Sequence, residues 1–471
     1  CYHLRLSVTC SVTGNIKEMS TFYTEISQFE PLIPADTREL ENTAFDLAQT
    51  SAGLATKLHP ITLDGVRELL RVNNSYYSNL IEGNNTHPID VERAMHKDYS
   101  NDPAKRDRQI ESLIHIDVQK KIDLRLENEP ETDVSGADFL LWIHREFYTQ
   151  MPESLRWVEG EDGNKEWVEA GEFRRRPVAG GQHLPPEHEA IPAFLRRFDE
   201  FYDPEQLHGT KKIVAIAAAH HRLMWIHPFL DGNGRVARLF TDAFFRRIGL
   251  EGYGLWNVSR GLARRNREYK KNLDAADFPR EGDLDGRGNL SNRTLTEFCK
   301  FFLDVCLDQT KYMSSILALG DLLPRMDSYV AKRSEGSIVD EKGVKALPMH
   351  PRASFILREA AIVGELPRNK IVEIVGMSER SARTVAKSLI DEGLQTGIGA
   401  LCAWGSLPTR PAIGSRISFR KNLSFNRKDL DLLSGAIRHL LWINVIFHRM
   451  REKMECSRKC SRSVQFPGDT H

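Results

Sequence analysis

Apolar residues return at every third or fourth position through most of this chain, so its core has to be built by packing helices. Within residues 31–94 the spacing is clearest at Val66, Leu69, Leu70, Val72 and Tyr76 or Tyr77, with Thr62-Leu63-Asp64 as an N-terminal cap. Glu82-Gly83-Asn84-Asn85 should end that helix, because Gly and Asn accept the left-handed backbone that closes a helix. The same pattern predicts helices over residues 106–124, 139–149, 191–202, 211–225, 234–248 and 294–319, the last continuing toward residue 329. One stretch departs from it. Residues 152–190 carry Gly, Pro, Glu and Arg with short alternating runs such as Trp167-Val168-Glu169-Ala170, which predicts turns and a small β-hairpin. The expected class is mainly α.

Further on, residues 334–348 have the composition of a linker, and residues 352–393 form a compact unit. In it, helices over 368–375 and 379–389 flank Gly376-Met377-Ser378, the pattern of a helix-turn-helix. Residues 397–471 differ in kind. They hold 13 Lys+Arg against 5 Asp+Glu, whereas the whole chain balances at 65 of each. Zero net charge gives the whole chain no pull toward a polyanion, and the basic tail reads as atypical or shifted sequence. Residues 1–18 likewise read as a non-native or disordered leader, with Met19 opening more typical sequence. Seven cysteines, odd in number and mostly at the two ends, argue against a disulfide scaffold and for a reducing, cytoplasmic setting. No run of about 18 apolar residues occurs, so no membrane partner is expected.

The chemistry is concentrated in one run, His227-Pro228-Phe229-Leu230-Asp231-Gly232-Asn233-Gly234-Arg235-Val236-Ala237-Arg238. An apolar helix ends before it and another begins inside it. Gly232 and Gly234 allow close backbone approach, and the N-terminus of the second helix forms an anion site. Arg235 and Arg238 are three apart, so both guanidinium forks serve one helical face. Asp231 is a hard oxygen ligand suited to Mg²⁺ beside phosphates. His227 can accept a hydroxyl proton near neutral pH. A base, a metal ligand, an anion nest and two phosphate clamps together make a phosphate-transfer toolkit. No Walker-type loop occurs anywhere. His220 and His221, on the preceding helix, read as packed or hydrogen-bonded residues.

With every fixed position present, this run resembles the signature of the Fic family, H-P-F-x-[DE]-G-N-G-R-x-x-R, and the likeness extends over roughly residues 20–390. It implies an all-helical Fic core with a small β-hairpin flap and a C-terminal winged helix-turn-helix-like domain. The activity it implies is transfer of AMP from Mg²⁺–ATP to a Ser, Thr or Tyr hydroxyl of a target protein, with release of pyrophosphate. By position, His227 would be the general base and Asp231 the Mg²⁺ ligand. Gly232, Asn233 and Gly234 would form the anion hole, with Asn233 on the α-phosphate, and Arg235 and Arg238 would hold the β- and γ-phosphates. Gly171-Glu172-Phe173-Arg174, Val178 and His183-Leu184-Pro185-Pro186 resemble the family's target-docking flap. Trp256-Asn257-Val258-Ser259-Arg260 and the segment from Tyr269 to Asp277 resemble the lining of the nucleotide base. Lys270 stands where many relatives carry a second tyrosine and Asp277 where Asn is frequent, which leaves another phosphate-containing donor open.

Ser78-Asn79-Leu80-Ile81-Glu82-Gly83 matches the family's inhibitory pattern, [ST]-x-x-x-E-[GN]. Ser78 and Glu82 are four apart and share a helix face. By resemblance Glu82 would pair with Arg238 and keep the γ-phosphate out; some relatives also use this residue to remove AMP. The expected organisation is then an N-terminal helical region with the inhibitory helix over 19–104, a catalytic core over 105–310, a helical linker over 311–348, a helix-turn-helix domain over 349–396 and the basic tail. Expected partners are a target protein, the chain itself as a modification target, a second copy in a homodimer, and DNA. DNA would meet the helix bearing Ser378, Glu379, Arg380, Ser381, Arg383, Thr384 and Lys387. The competing class is a DNA-binding regulator that only senses nucleotide; an intact His227 favours the enzyme.

Overall fold

Wherever the sequence repeats apolar residues at helical spacing, the chain coils. The computed structural model describes residues 23–160, 163–178, 183–338, 345–363, 366 and 368–391. Fifteen α-helices run through them: α1 (Arg38–Ala55), α2 (Pro60–Ile81), α3 (Pro88–Met95), α4 (Pro103–Asn128), α5 (Ala137–Tyr148), α6 (Ile191–Tyr202), α7 (Lys211–Ile226), α8 (Asn233–Arg247), α9 (Val258–Arg264), α10 (Asn266–Ala276), α11 (Asn292–Leu317), α12 (Leu319–Ser334), α13 (Ala353–Val363), α14 (Arg368–Val375) and α15 (Glu379–Asp391). Strands β1 (Trp157–Glu159) and β2 (Lys165–Trp167) pair antiparallel, Trp157 opposite Trp167.

α7 is the centre of the core. Nearly every residue from Ile213 to Ile226 is buried, as expected of a helix apolar all round. Its Ala215, Ala217, Ala218 and Ala219 are small enough for neighbours to approach closely, and α1, α6, α8 and α11 all pack on it. α8 follows after the 227–232 loop and packs on α7, and α2, α4 and α5 all contact α8. The loop therefore opens where five helices meet.

Two local expectations are corrected. α2 starts at Pro60, ahead of the expected cap at Thr62, because a proline in the first turn gives up no helical hydrogen bond. The predicted helix through 294–329 is two helices: Ala318 is extended (φ −61°, ψ 120°) and caps α12, whose Pro324 lies inside the helix. The two-stranded hairpin falls at 157–167, inside the predicted 152–190 stretch; Gly171 turns at φ +77°, and residues 179–182 of the expected flap lie outside the described residues. In the C-terminal unit α14 and α15 are joined through Gly376, at φ +59°. The leader, the expected wing and the basic tail lie outside the described residues. Among the described residues no helix is long and apolar enough to cross a membrane, and Cys299 and Cys306 are buried and free.

Candidate active site

His227 ends α7 in a left-handed conformation (φ 50°, ψ 57°), rare for a residue with a Cβ and a mark of a constrained site. That turn is pinned from outside. Arg174, 4% exposed, donates through Nε to the His227 carbonyl at 2.8 Å and through its backbone N–H to the Pro228 carbonyl at 2.9 Å. His227 Nδ1 lies 3.3 Å from the Met224 carbonyl. Only a donor satisfies that contact, so the proton is assigned to Nδ1 and Nε2 keeps its lone pair. Burial, then the nearby His183, lowers the imidazole's pKa to about 4, so it is neutral at pH 7 and ready to accept a proton.

The rest of the loop rests on α5. His144 stacks on Phe229 with ring centroids 4.1 Å apart, accepts from Gly171 N–H at Nδ1 (2.9 Å) and reaches the Asp231 carbonyl with Nε2 (3.3 Å). Tyr148 donates to Asp231 Oδ2 at 2.5 Å. Gly232 turns at φ +85°, and a Cβ there would lie 2.7 Å from Tyr148 Cε2, so both backbone and space demand glycine. The Asn233 side chain closes the loop on itself: Oδ1 accepts from Phe229 N–H (2.9 Å) and Nδ2 donates to the Phe229 carbonyl (2.8 Å). With its side chain so engaged, Asn233 can offer an anion its backbone N–H at the start of α8.

Arg238 is buried and Arg235 largely so, each held by a different carboxylate. Arg238, 1% exposed, donates through Nη2 to Glu82 Oε1 (2.6 Å) and through Nε to Ser78 Oγ (2.8 Å). Arg235 pairs with Glu111 through Nη1, and through Nη2 with Tyr148 Oη (2.8 Å) and Asp231 Oδ2 (2.8 Å). A Cβ on Gly234 would collide with Glu82 Oε1, so the Glu82 carboxylate lies against the first turn of α8, where an anion is favoured. Loss of water works to raise the Glu82 pKa, but Arg238 and Arg235 outweigh it and hold the group ionised. Asp231 behaves likewise: burial opposes, Arg235 and the Tyr148 hydroxyl prevail, and its pKa is lowered.

Asp231 suits Mg²⁺ of one kind. The described residues bring three potential His, Cys, Asp or Glu ligands together only at Glu187, His188 and Glu189, a set that does not include Asp231. Asp231 therefore supplies a single hard oxygen, which fits an ion otherwise carried by phosphates and water.

Two predicted residues face elsewhere. Tyr269 is 2% exposed and its hydroxyl bonds His220 Nε2 at 2.8 Å, while His220 Nδ1 meets Thr241 Oγ1 at 2.8 Å. Tyr269 is thus core behind Arg238 and offers no open face to a base. His183 points inward, with Nε2 2.7 Å from the Trp225 carbonyl and Nδ1 3.3 Å from Asp277, so its ring is not presented to a docking partner; Val178 is half-buried in a loop. His221, 3.2 Å from the same Asp277, is hydrogen-bonded core as expected. Sequence reasoning missed Glu111, Tyr148, His144 and the role of Arg174. His144 and Tyr148, four apart on one helix, carried a readable signal; Glu111, one of many charged residues on α4, was a weaker one.

Residues 134–245 match the Fic/DOC family. This chain carries a Fic domain. Two similar curated proteins are the protein adenylyltransferases Fic of Drosophila mojavensis and Drosophila grimshawi, each 38% identical over 87 residues. Those matches cover 18% of this chain and 17% and 18% of the two relatives, so the chain spans under a fifth of their length. Among solved structures, a Fic family protein from Desulfovibrio desulfuricans G20 is similar at 16% identity and a TM-score of 0.45, covering 74% of this chain and 90% of that one. Fic-1 from C. elegans is similar at 15% identity and a TM-score of 0.46, covering 60% and 75%. The Fic domain begins just before α5 and ends within α8, so Glu82 and Glu111 lie outside the matched residues.

Proposed function

We propose that this chain is an auto-inhibited protein AMP-transferase. The carrying observation is that a neutral, αL-held His227 and an anion site occupied by Glu82 belong to one loop. A target hydroxyl gives its proton to His227 Nε2 while its oxygen attacks the α-phosphorus of ATP. The bond from the α-phosphorus to the bridging oxygen breaks, and pyrophosphate leaves. Asp231 would hold Mg²⁺, which when bound neutralises phosphate charge. Arg238 would take the γ-phosphate once Glu82 gives it up, and the N–H groups opening α8 would meet the α-phosphate. The similar Drosophila proteins bear the name protein adenylyltransferase, which supports the same chemistry here.

A protein hydroxyl, on a target or on the chain itself, is the acceptor in this reading. Free Cys299 and Cys306 in the core agree with a reducing cytoplasm. The base of the donor is less constrained than its phosphates, since buried Tyr269 lines no open pocket. DNA binding through α15 is the weaker alternative, because Arg383 there is paired with Glu379. The test is incubation with Mg²⁺ and ATP labelled at the α- or the γ-phosphate. Label entering protein from the α-position alone supports AMP transfer; label from the γ-position alone, or ATP bound without transfer in Glu82→Gly, overturns it.

A further inference from the structure

We propose that the brake has a second arm, in which Asn84 holds Glu111 and Glu111 holds Arg235; this rests on the reading of Glu82 as the brake.

α2 closes through a Gly83 turn at φ +90°, with Asn84 N–H on the Asn79 carbonyl (2.9 Å) and Gly83 N–H on the Leu80 carbonyl (3.1 Å). Such a turn by itself would leave the end of the helix free to fray. Here it is fastened to α4. Asn84, 7% exposed, donates through Nδ2 to Glu111 Oε2 at 2.8 Å and to the Arg108 carbonyl at 3.3 Å, and its Oδ1 accepts from the Thr86 N–H and hydroxyl. Earlier turns of α2 are tied to the same face of α4: Ser75 Oγ donates to the Ser112 carbonyl (2.8 Å) and Asn79 Nδ2 to Ser112 Oγ (3.4 Å).

Glu111 is 6% exposed and its two oxygens face opposite tasks, Oε2 toward Asn84 and Oε1 toward Arg235. Arg235 in turn holds Asp231 Oδ2. One turn of α2 therefore controls both clamps: Glu82 takes Arg238 directly, and Asn84 takes Arg235 through Glu111. Lifting that turn to free Arg238 requires breaking the Asn84–Glu111 bond and leaving a buried carboxylate short of a donor, which is costly. Asn84 thus sets how tightly the brake closes, and Glu111 is a positioning residue for Arg235.

The test uses the full chain with Asn84→Asp, which sets a like charge against Glu111, and Asn84→Ala, which only removes the donor. Each is made in the wild type and in Glu82→Gly. AMP incorporation, affinity for a fluorescent ATP analogue and amide exchange at residues 79–84 are measured. The expected result for either variant in the wild type is faster exchange, tighter nucleotide binding and roughly three- to tenfold more transfer, with no further gain in Glu82→Gly. Faster exchange with wild-type binding and transfer overturns the proposal, as does a gain that persists undiminished in Glu82→Gly. If Glu82→Gly binds ATP but transfers nothing, the proposed function fails instead, and nucleotide affinity in the Asn84 variants still decides whether the latch exists. Should Asn84→Asp not fold, Asn84→Ala carries the same three readings.

Discussion

Arg238 and Glu82 meet at 2.6 Å with Arg238 1% exposed, so the arginine proposed to take the γ-phosphate is sealed by a carboxylate from the end of α2. Replacing Glu82 by Gly is expected to raise AMP transfer roughly ten- to a hundredfold, the scale of one hydrogen bond between charged groups. It should also leave a buried arginine without its carboxylate, with only Ser78 to hold it, and lower the melting temperature. ATP should then stabilise Glu82→Gly more than the wild type in a thermal-shift titration; equal stabilisation of the two would mean that the contact does not compete with nucleotide.

His227→Ala is expected to abolish transfer with the fold intact by circular dichroism. The pKa of about 4 has its own signature. The neutral form is the working base, so activity should persist below the usual histidine pKa of about 6.5. A rate profile between pH 5 and 8 in Glu82→Gly should show no acid limb near that value.

Stability should respond to acid. Burial lowers His115, His144 and His220 to about 3, whereas in the unfolded chain each titrates near 6.5. These folded pKa values are depressed and the neutral form is the native one, so their contribution is complete above about pH 6.5 and is lost as pH falls toward 3. At pH 5, unfolding takes up about three protons from this set, a slope on the order of 4 kcal/mol per pH unit. Asp199, raised by burial to about 6, opposes them with one proton. Urea midpoints at several pH values between 8 and 5 should fall toward the acid end; a flat series would mean that these histidines are solvated.

Gly232→Ala is expected to cost about 1–3 kcal/mol, because the new Cβ meets both a φ of +85° and the Tyr148 ring. Thermal denaturation measures the loss. Since Tyr148 also holds Asp231, the variant should need more Mg²⁺ for half-maximal transfer.

Much of this was legible in the sequence. α6 and α7 fall within a residue of the helices that periodicity predicts, because an apolar stripe is a local property. The contents of the candidate site were equally plain, since twelve adjacent residues carry them. The side-chain directions of Asn233, His183 and Tyr269 were not. Each reaches a partner that only folding brings near: Phe229 across the loop, the Trp225 carbonyl, His220 on α7. The hairpin fell inside the 152–190 stretch predicted for it, but alternation in so short a run does not set register.

By itself, then, the sequence determined a helical protein with a base, an acid, an anion nest and two arginines within twelve adjacent residues, because spacing along a chain is enough to specify those. Tertiary structure decided what each group does at rest. Glu82 lies 156 residues from Arg238, Glu111 lies 124 from Arg235 and Tyr148 lies 83 from Asp231. Charge pairing and burial across such separations depend on how helices pack, and it is those contacts that seal both arginines, hold Asp231 ionised and keep His227 neutral.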